Sequence, residues 1–456
     1  MTSFLTLDPA TEEVLASVAQ STSSDVRNAV KEAQNSLESW SKTPLSERVA
    51  ILLSFAQLVE SNREELSALV TREQGKILAE ATAEVADSAH RVRFFCERAP
   101  VVLAGETLEF NDMAARVDHA PVGVVGAIKP WNFPFGIPLW TLVPALLAGN
   151  PVVFKPSELT PLVGQRIVEL LHEGGVPPGV LHLVQGQDEI GKALAASEVR
   201  LIGFVGSQEV GAKIMREAAN DMKRLSLEMG GKDPMLILAD AEVEKVSRGA
   251  VNGAFKNCGQ ICCSVERVYV HSSIFQSFVE SVVESVRNLR IGPGMEPGID
   301  IGPLVSEAQR ERTRSLVEDA RNSGARILTG GRRIDREGFF FEPTVVTSVP
   351  HSAVMFATET FGPILQIEPF ESEDEAVNLA NALPFGLTAS VWSRDIERAI
   401  SLANRLQAGT RAVNQNTGSR VELPWGGVKS SGIGRMLSDE GILEFTETIT
   451  TRVPLS

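Results

Sequence analysis

Val122-Gly123-Val124-Val125-Gly126-Ala127-Ile128 opens a series of short apolar runs that continues with Val152-Val153-Phe154, Val180-Leu181-His182-Leu183-Val184 and Leu201-Ile202-Gly203-Phe204-Val205. Each run is too short for a helix, is apolar on both faces and is separated from the next by a helix-length stretch. That pattern predicts parallel strands joined by helical crossovers, because a parallel strand is covered on both sides. The pattern restarts with Met235–Leu238 and Val265–Val270, and strand-like pieces continue to Thr388–Trp392 and Thr410–Val413. Two successive α/β regions are therefore predicted, with a handover near Glu228–Lys232.

Upstream of this texture the first hundred residues read as helices. Val26, Val30, Ala33, Leu37 and Trp40 recur at helical spacing, the mark of one buried face. Thr43 then reads as an N-cap with Pro44 at the first helical position, where a missing N–H costs nothing. The apolar face of that second helix takes in Val49, Leu52, Leu53, Phe55 and Leu58.

The chain has 456 residues, enough for about three domains. Its net charge of -15 repels polyanions, so nucleic acid and anionic membrane are not expected partners. The most apolar segment, Gly136–Gly149, is too short to span a bilayer and contains Pro138 and Pro144. The N-terminus lacks a basic start followed by an apolar core, and four cysteines suit a reducing compartment, so a cytoplasmic location is expected.

Two segments invite a phosphate-loop reading. Gly186-Gln187-Asp188-Glu189-Ile190-Gly191-Lys192 has the triphosphate-loop spacing, but Ala193 stands where a magnesium-binding hydroxyl is needed, so it reads as a turn entering a helix. Gly206-Ser207-Gln208-Glu209-Val210-Gly211 follows a strand and opens a helix, whose free N–H groups suit a pyrophosphate. Three of the cysteines lie in Asn257-Cys258-Gly259-Gln260-Ile261-Cys262-Cys263. The six histidines are scattered and no second cysteine pair exists, so no metal is expected. A buried structural thiol and an activated nucleophile both remain open at this point.

Asn257-x-Gly259-Gln260-x-Cys262, preceded by Leu227-Glu228-Met229-Gly230-Gly231-Lys232, resembles the two signatures of the aldehyde dehydrogenase superfamily. The resemblance continues in the family's order with Pro130-Trp131-Asn132-Phe133-Pro134, Lys155-Pro156-Ser157-Glu158, Phe204-Val205-Gly206-Ser207, Glu359-Thr360-Phe361-Gly362-Pro363 and Pro424-Trp425-Gly426-Gly427. It covers nearly the whole chain. Departures are Val205 for Thr, Ser264 for Ala, Thr358 for an acid and Met436 for Glu.

The resemblance implies two parallel-sheet α/β domains, the first Rossmann-like, plus a small oligomerisation extension. Cofactor binding would fall to residues 1–102 and 122–228, catalysis to 229–430, and association into a homodimer or homotetramer to 103–121 and 436–456. Cys262 is implied as the nucleophile that forms a thiohemiacetal, Asn132 as the oxyanion donor and Glu228 as the general base that hydrolyses the thioester. Glu228 argues against release of the acyl group to coenzyme A. Trp131, Lys155, Glu158, Gly206, Ser207, Gly211, Glu359 and Phe361 are implied to hold the cofactor, with NAD preferred over NADP because Glu158 repels a 2′-phosphate.

Phe133, Trp140 and Trp425 are implied to line the substrate site and resemble the aromatic positions of betaine-aldehyde and aminoaldehyde dehydrogenases. Aromatic faces attract ammonium groups, yet the same lining serves aliphatic and aromatic aldehydes. Trp140 occupies the position where succinate-semialdehyde enzymes carry an Arg, which demotes that substrate unless Arg411 or Arg420 substitutes. A non-enzymatic member of the fold has no need for Cys262, Glu228 and Asn132 together.

Overall fold

The quoted runs become strands of a six-stranded sheet in the order Gly432–Ile433, Arg224–Met229, Leu201–Gly206, Val125–Ile128, Val152–Lys155, Leu181–Leu183. All are parallel except the edge strand Gly432–Ile433, which returns antiparallel to Arg224–Met229 from far along the chain. The computed structural model describes residues 2–454; residues 1, 455 and 456, at the ends of the expected segments, lie outside the described residues.

The handover falls between Arg224–Met229, the last parallel strand of this sheet, and Asp233–Ile237, which begins a seven-stranded one. Its order is Arg326–Thr329, Thr344–Thr347, Ile364–Phe370, Val265–His271, Asp233–Ile237, Thr388–Trp392, Thr410–Val413, parallel apart from the first. A third, antiparallel sheet pairs Thr446–Pro454 with Met113–Pro121 and that strand with Glu106–Glu109.

Register places Ala127 level with Gly203, Gly203 level with Ser226, and Val205 level with Glu228. One face of the first sheet, with Val125, Ala127, Leu201 and Val205, packs under the helix Gly136–Leu147, whose residues are all buried. The helix Leu78–Val102 covers it in turn through Val85, Ala89, Val92 and Phe95. The opposite face buries Ile202, Phe204 and Leu227 against Val26, Val30, Ile190 and Leu194. Each such side chain contributes about 1.5–3 kcal/mol, so both faces hold the strand ends in fixed positions.

The N-terminal reading needs two corrections. Ser3–Leu7 and Val14–Ala19 form an antiparallel hairpin before the first helix. Thr43 ends the helix Ser23–Lys42 instead of starting the next one, because its hydroxyl donates back to the Ser39 carbonyl at 3.1 Å. Pro44 therefore precedes Leu45–Ser61 without a side-chain cap. The N-cap signal belongs to Thr22, which forms a reciprocal capping box with Asp25. Gly186–Lys192 runs into the helix Asp188–Ala195. No helix among the described residues is long and apolar enough to cross a membrane.

Candidate active site

Cys262 stands where two cavities meet and lines both. The first, about 210 Å³, is also lined by Trp131, Asn132, Gly206, Ser207, Glu228, Glu359 and Phe361. The second, about 500 Å³, is lined by Phe133, Trp140 and Trp425. The implied cofactor and substrate residues thus separate onto opposite sides of one sulfur atom. Lys155, Glu158 and Gly211 line neither cavity.

The loop carrying Cys262 is shaped by two consecutive left-handed residues, Asn257 (φ 49°) and Cys258 (φ 57°). Such conformations cost of order 1–3 kcal/mol each outside glycine, so contacts must hold them. They do: the Asn257 N–H donates to Glu80 Oε1 at 3.0 Å, and its side-chain amide donates to the Asn132 and Gln260 carbonyls. Asn132 donates through Nδ2 to the Gln260 carbonyl at 3.1 Å, which brings its amide beside the turn that ends in Cys262. Cys258 is fully buried and Cys263 half-buried. The hydrogen bond with Cys263, then burial and the charge of Glu228, push the Cys262 thiol well up.

Glu228 sits at the end of its strand, buried. Burial pushes its carboxyl up to about 7 against the opposing influences of the Cys262 thiol, the Trp425 indole and the Lys129 ammonium. A carboxylate so placed can both hold and release a proton near neutrality, as general-base work requires. Glu359 is half-buried, with its enclosed Oε1 unpartnered; desolvation and the neighbouring Glu266 raise it well above the usual carboxylate range.

The first cavity has the features a nucleotide cofactor needs. Ser207 caps the helix Gln208–Ala218 by accepting from the Val210 N–H, leaving the helix N-terminus beside the cavity. Trp131 and Phe361 meet edge-on, with centroids 5.3 Å apart, as a flat wall. The orphaned Glu359 oxygen offers an acceptor for a hydroxyl. At Gly211 a Cβ would run into the Met229 sulfur, so its lack of a side chain serves helix-on-strand packing. Lys155 lies farther out, paired with Glu158 at 3.3 Å.

The aromatic lining of the second cavity is occupied by cations of the protein itself. Lys76 Nζ lies 3.9 Å over the Phe133 ring, and the Arg91 guanidinium lies 5.4 Å over Trp140. Lys76 is buried and pairs with Glu84 at 2.6 Å while donating to the Asn132 carbonyl at 2.8 Å. Glu84 in turn accepts from the Phe135 and Gly136 N–H groups. This pair anchors the Asn132 loop. Sequence reading missed it, along with Arg91 and Lys129. The available signal was charged residues repeating at helical spacing (Glu73, Lys76, Glu80, Glu84) in a segment that otherwise buries apolar residues. Among the described residues no group of three or more His, Cys, Asp or Glu is placed to hold a metal ion.

Known proteins resemble this chain along its length. A glutarate-semialdehyde dehydrogenase of Pseudomonas putida is 37% identical over 96% of this chain and 92% of its own. A betaine aldehyde dehydrogenase of Staphylococcus aureus, solved in complex with NAD+, superposes with a TM-score of 0.97 at 35% identity, covering 99% of this chain and 91% of that one. An E. coli NADP-dependent enzyme gives 0.97 at 34% identity, covering 100% and 95%. The sequence model of the aldehyde dehydrogenase family matches residues 2–451. With a cysteine between two cavities, a buried glutamate beside it and this likeness along its whole length, the chain belongs to the aldehyde dehydrogenase family.

Proposed function

We propose that this enzyme oxidises an aldehyde carrying a carboxylate or other acceptor on its tail to the acid, with NAD preferred over NADP, by way of a thioester on Cys262. The observation that carries the reaction is the place of Cys262 between the two cavities, with Glu228 beside it. The aldehyde enters the second cavity, the Cys262 thiol gives its proton up to solvent, and Sγ bonds the carbonyl carbon. The oxygen that becomes anionic meets the Asn132 amide and the Cys262 N–H. Trp131, Ser207, Glu359 and Phe361 would hold a nicotinamide cofactor in the first cavity, which would supply the acceptor for the hydride leaving that carbon. Glu228 then takes a proton from water, whose oxygen bonds the thioester carbon. The C–S bond breaks, and the proton returns from Glu228 to the leaving sulfur.

The substrate reading rests on Arg91. Its guanidinium is buried, donates to Asp87 and Ser419, and leaves Nη1 without a partner while the residue lines the second cavity. A free donor of this kind favours an anionic or accepting tail. The faces of Phe133 and Trp140 already hold Lys76 and Arg91, which disfavours a trimethylammonium there. The preference for NAD is supported by the Lys155–Glu158 pair, because the lysine's charge is taken and the glutamate repels a 2′-phosphate. Residues 1–102 and 122–228 then serve cofactor binding and 229–430 catalysis. The third sheet, in 103–121 and 436–456, exposes Leu108, Ile449 and Val453 and supports homodimer or homotetramer formation.

The test is reduced-nicotinamide absorbance for wild type and Cys262→Ala on glutarate semialdehyde, succinate semialdehyde, betaine aldehyde and an uncharged aliphatic aldehyde, with NAD and with NADP. Turnover led by the semialdehydes and abolished in the variant is expected. Turnover led by betaine aldehyde overturns the substrate reading, and undiminished turnover in the variant overturns the mechanism.

A further inference from the structure

Glu228 Oε1 accepts from the Trp425 indole, but Oε2 is buried without a partner in the protein. Three more buried polar atoms share that condition nearby: Lys129 Nζ, Thr141 Oγ1 and Ser226 Oγ. Strand geometry explains why they gather. Ser226 and Glu228 are two apart on Arg224–Met229, so their side chains leave the same face of the sheet. Ser226 is level with Gly203, and a Cβ on Gly203 would lie 3.0 Å from Thr141 Oγ1 and 3.5 Å from Lys129 Nζ. The missing side chain at 203 is what lets Thr141 come down onto the sheet from the helix Gly136–Leu147, with Lys129 Nζ in contact distance beside it.

The face around these atoms is otherwise apolar, formed by Val125, Ala127, Leu201 and Val205. An unsatisfied buried donor or acceptor costs about 1–3 kcal/mol, so a cluster of them persists only where something satisfies them. Neither large cavity is lined by Lys129, Thr141 or Ser226, which excludes a substrate-sized ligand. Internal water, making two to four hydrogen bonds, fits a small polar enclosure of this kind.

We propose, building on the hydrolytic role of Glu228 above, that Lys129 is a positioning residue for that carboxylate: with the Thr141 and Ser226 hydroxyls it binds ordered water behind Glu228 and holds the carboxylate in its ionised, proton-accepting form. The groups facing Glu228 are Lys129 from just past Val125–Ile128, one strand further over, Cys262 from its loop, Trp425 from the C-terminal segment and Glu359 across the first cavity. Of these, Lys129 supplies the positive charge and Glu359 opposes it. Burial draws the Lys129 ammonium down to about 7 against the charge of Glu228, so its positive charge is present at and below neutrality, and it is not the group that takes the proton from water. It biases the group that does.

The experiment compares wild type with Lys129→Met, Lys129→Gln and Ser226→Ala. In cofactor-free protein, the carboxyl C=O infrared band that vanishes in Glu228→Gln is followed against pH. With cofactor and aldehyde, the first-turnover burst of reduced nicotinamide is separated from the steady rate. Both Lys129 variants are expected to retain the burst. They are expected to raise the Glu228 titration by about one pH unit, which slows hydrolysis about fivefold at pH 7 and about tenfold well below it. Ser226→Ala is expected to move it in the same direction by less. A wild-type titration in the variants that fold overturns the proposal, and Ser226→Ala decides the matter if neither Lys129 variant folds. Absence of any hydrolytic turnover in wild type would instead overturn the underlying reaction.

Discussion

Trp425 Nε1 donates to Glu228 Oε1 at 3.3 Å, so one indole both lines the second cavity and touches the carboxylate proposed as the general base. Its ring also meets Trp140 edge-on, with centroids 6.4 Å apart. Recognition of the aldehyde and hydrolysis of the acyl group therefore share a side chain.

Trp425→Phe keeps an aromatic wall and removes the N–H. A hydrogen bond to a carboxylate favours its ionised form, so its loss raises the Glu228 pKa further. Such bonds contribute about 1.5–3 kcal/mol, and a loss of about tenfold or more in kcat at neutral pH is expected, recovered as pH rises. A kcat profile against pH checks this. An unmoved acid limb would show that the indole only packs.

Where hydrolysis limits turnover, the wild-type profile follows Glu228 itself. Burial raises its carboxyl to about 7, and only the ionised form accepts water's proton. The rate is therefore low at acid pH, rises through the region near 7 and levels off above it. Glu228→Gln is expected to lose this limb and at least about a hundredfold in kcat while keeping the first-turnover burst. Stopped-flow absorbance at a series of pH values makes both comparisons.

Arg91→Met removes the free donor of the substrate cavity and keeps an apolar stem over Trp140. KM for glutarate semialdehyde is expected to rise about tenfold or more, as befits the loss of a charge-assisted hydrogen bond, while that for an aliphatic aldehyde of equal length changes little. Steady-state kinetics on the two substrates measures the ratio. Equal changes for both would remove Arg91 from recognition.

Lys76→Met strands Glu84 as an uncompensated buried charge and releases the Asn132 carbonyl. Breaking a buried pair at one end costs about 3–5 kcal/mol, so a clear drop in the denaturant midpoint is expected. The double variant Lys76→Met/Glu84→Gln is expected to recover part of it. Additive losses in equilibrium unfolding would show that the two residues act independently.

Eight strands of the two large sheets are legible in the chain because burial on both faces makes them continuous apolar runs; Arg224–Met229, Arg326–Thr329, Thr344–Thr347, Ile364–Phe370 and Gly432–Ile433 do not stand out from the sequence. The hairpin Ser3–Leu7/Val14–Ala19 is not legible either, since it alternates exposed and buried residues over a few positions and resembles a polar lead-in. Thr43 illustrates a second limit: one hydroxyl can close the helix before it or open the one after, and tertiary geometry chooses. In the site, Cys262, Glu228 and Asn132 stand in motifs whose spacing carries chemistry. Lys76, Glu84, Arg91 and Lys129 do not. Their importance comes from being charged where the folded chain excludes water, a property of neighbours brought in from 50 or more positions away, as with the Lys76–Asn132 contact (|i−j| of 56).

The meeting of two cavities at Cys262 also governs traffic. On the proposed assignment, aldehyde and dinucleotide would reach the sulfur by separate doors, and the freed acid would have a path of its own past Phe133 and Trp425. A compound lodged among Phe133, Trp140 and Trp425 would accordingly compete with the aldehyde and leave cofactor affinity untouched.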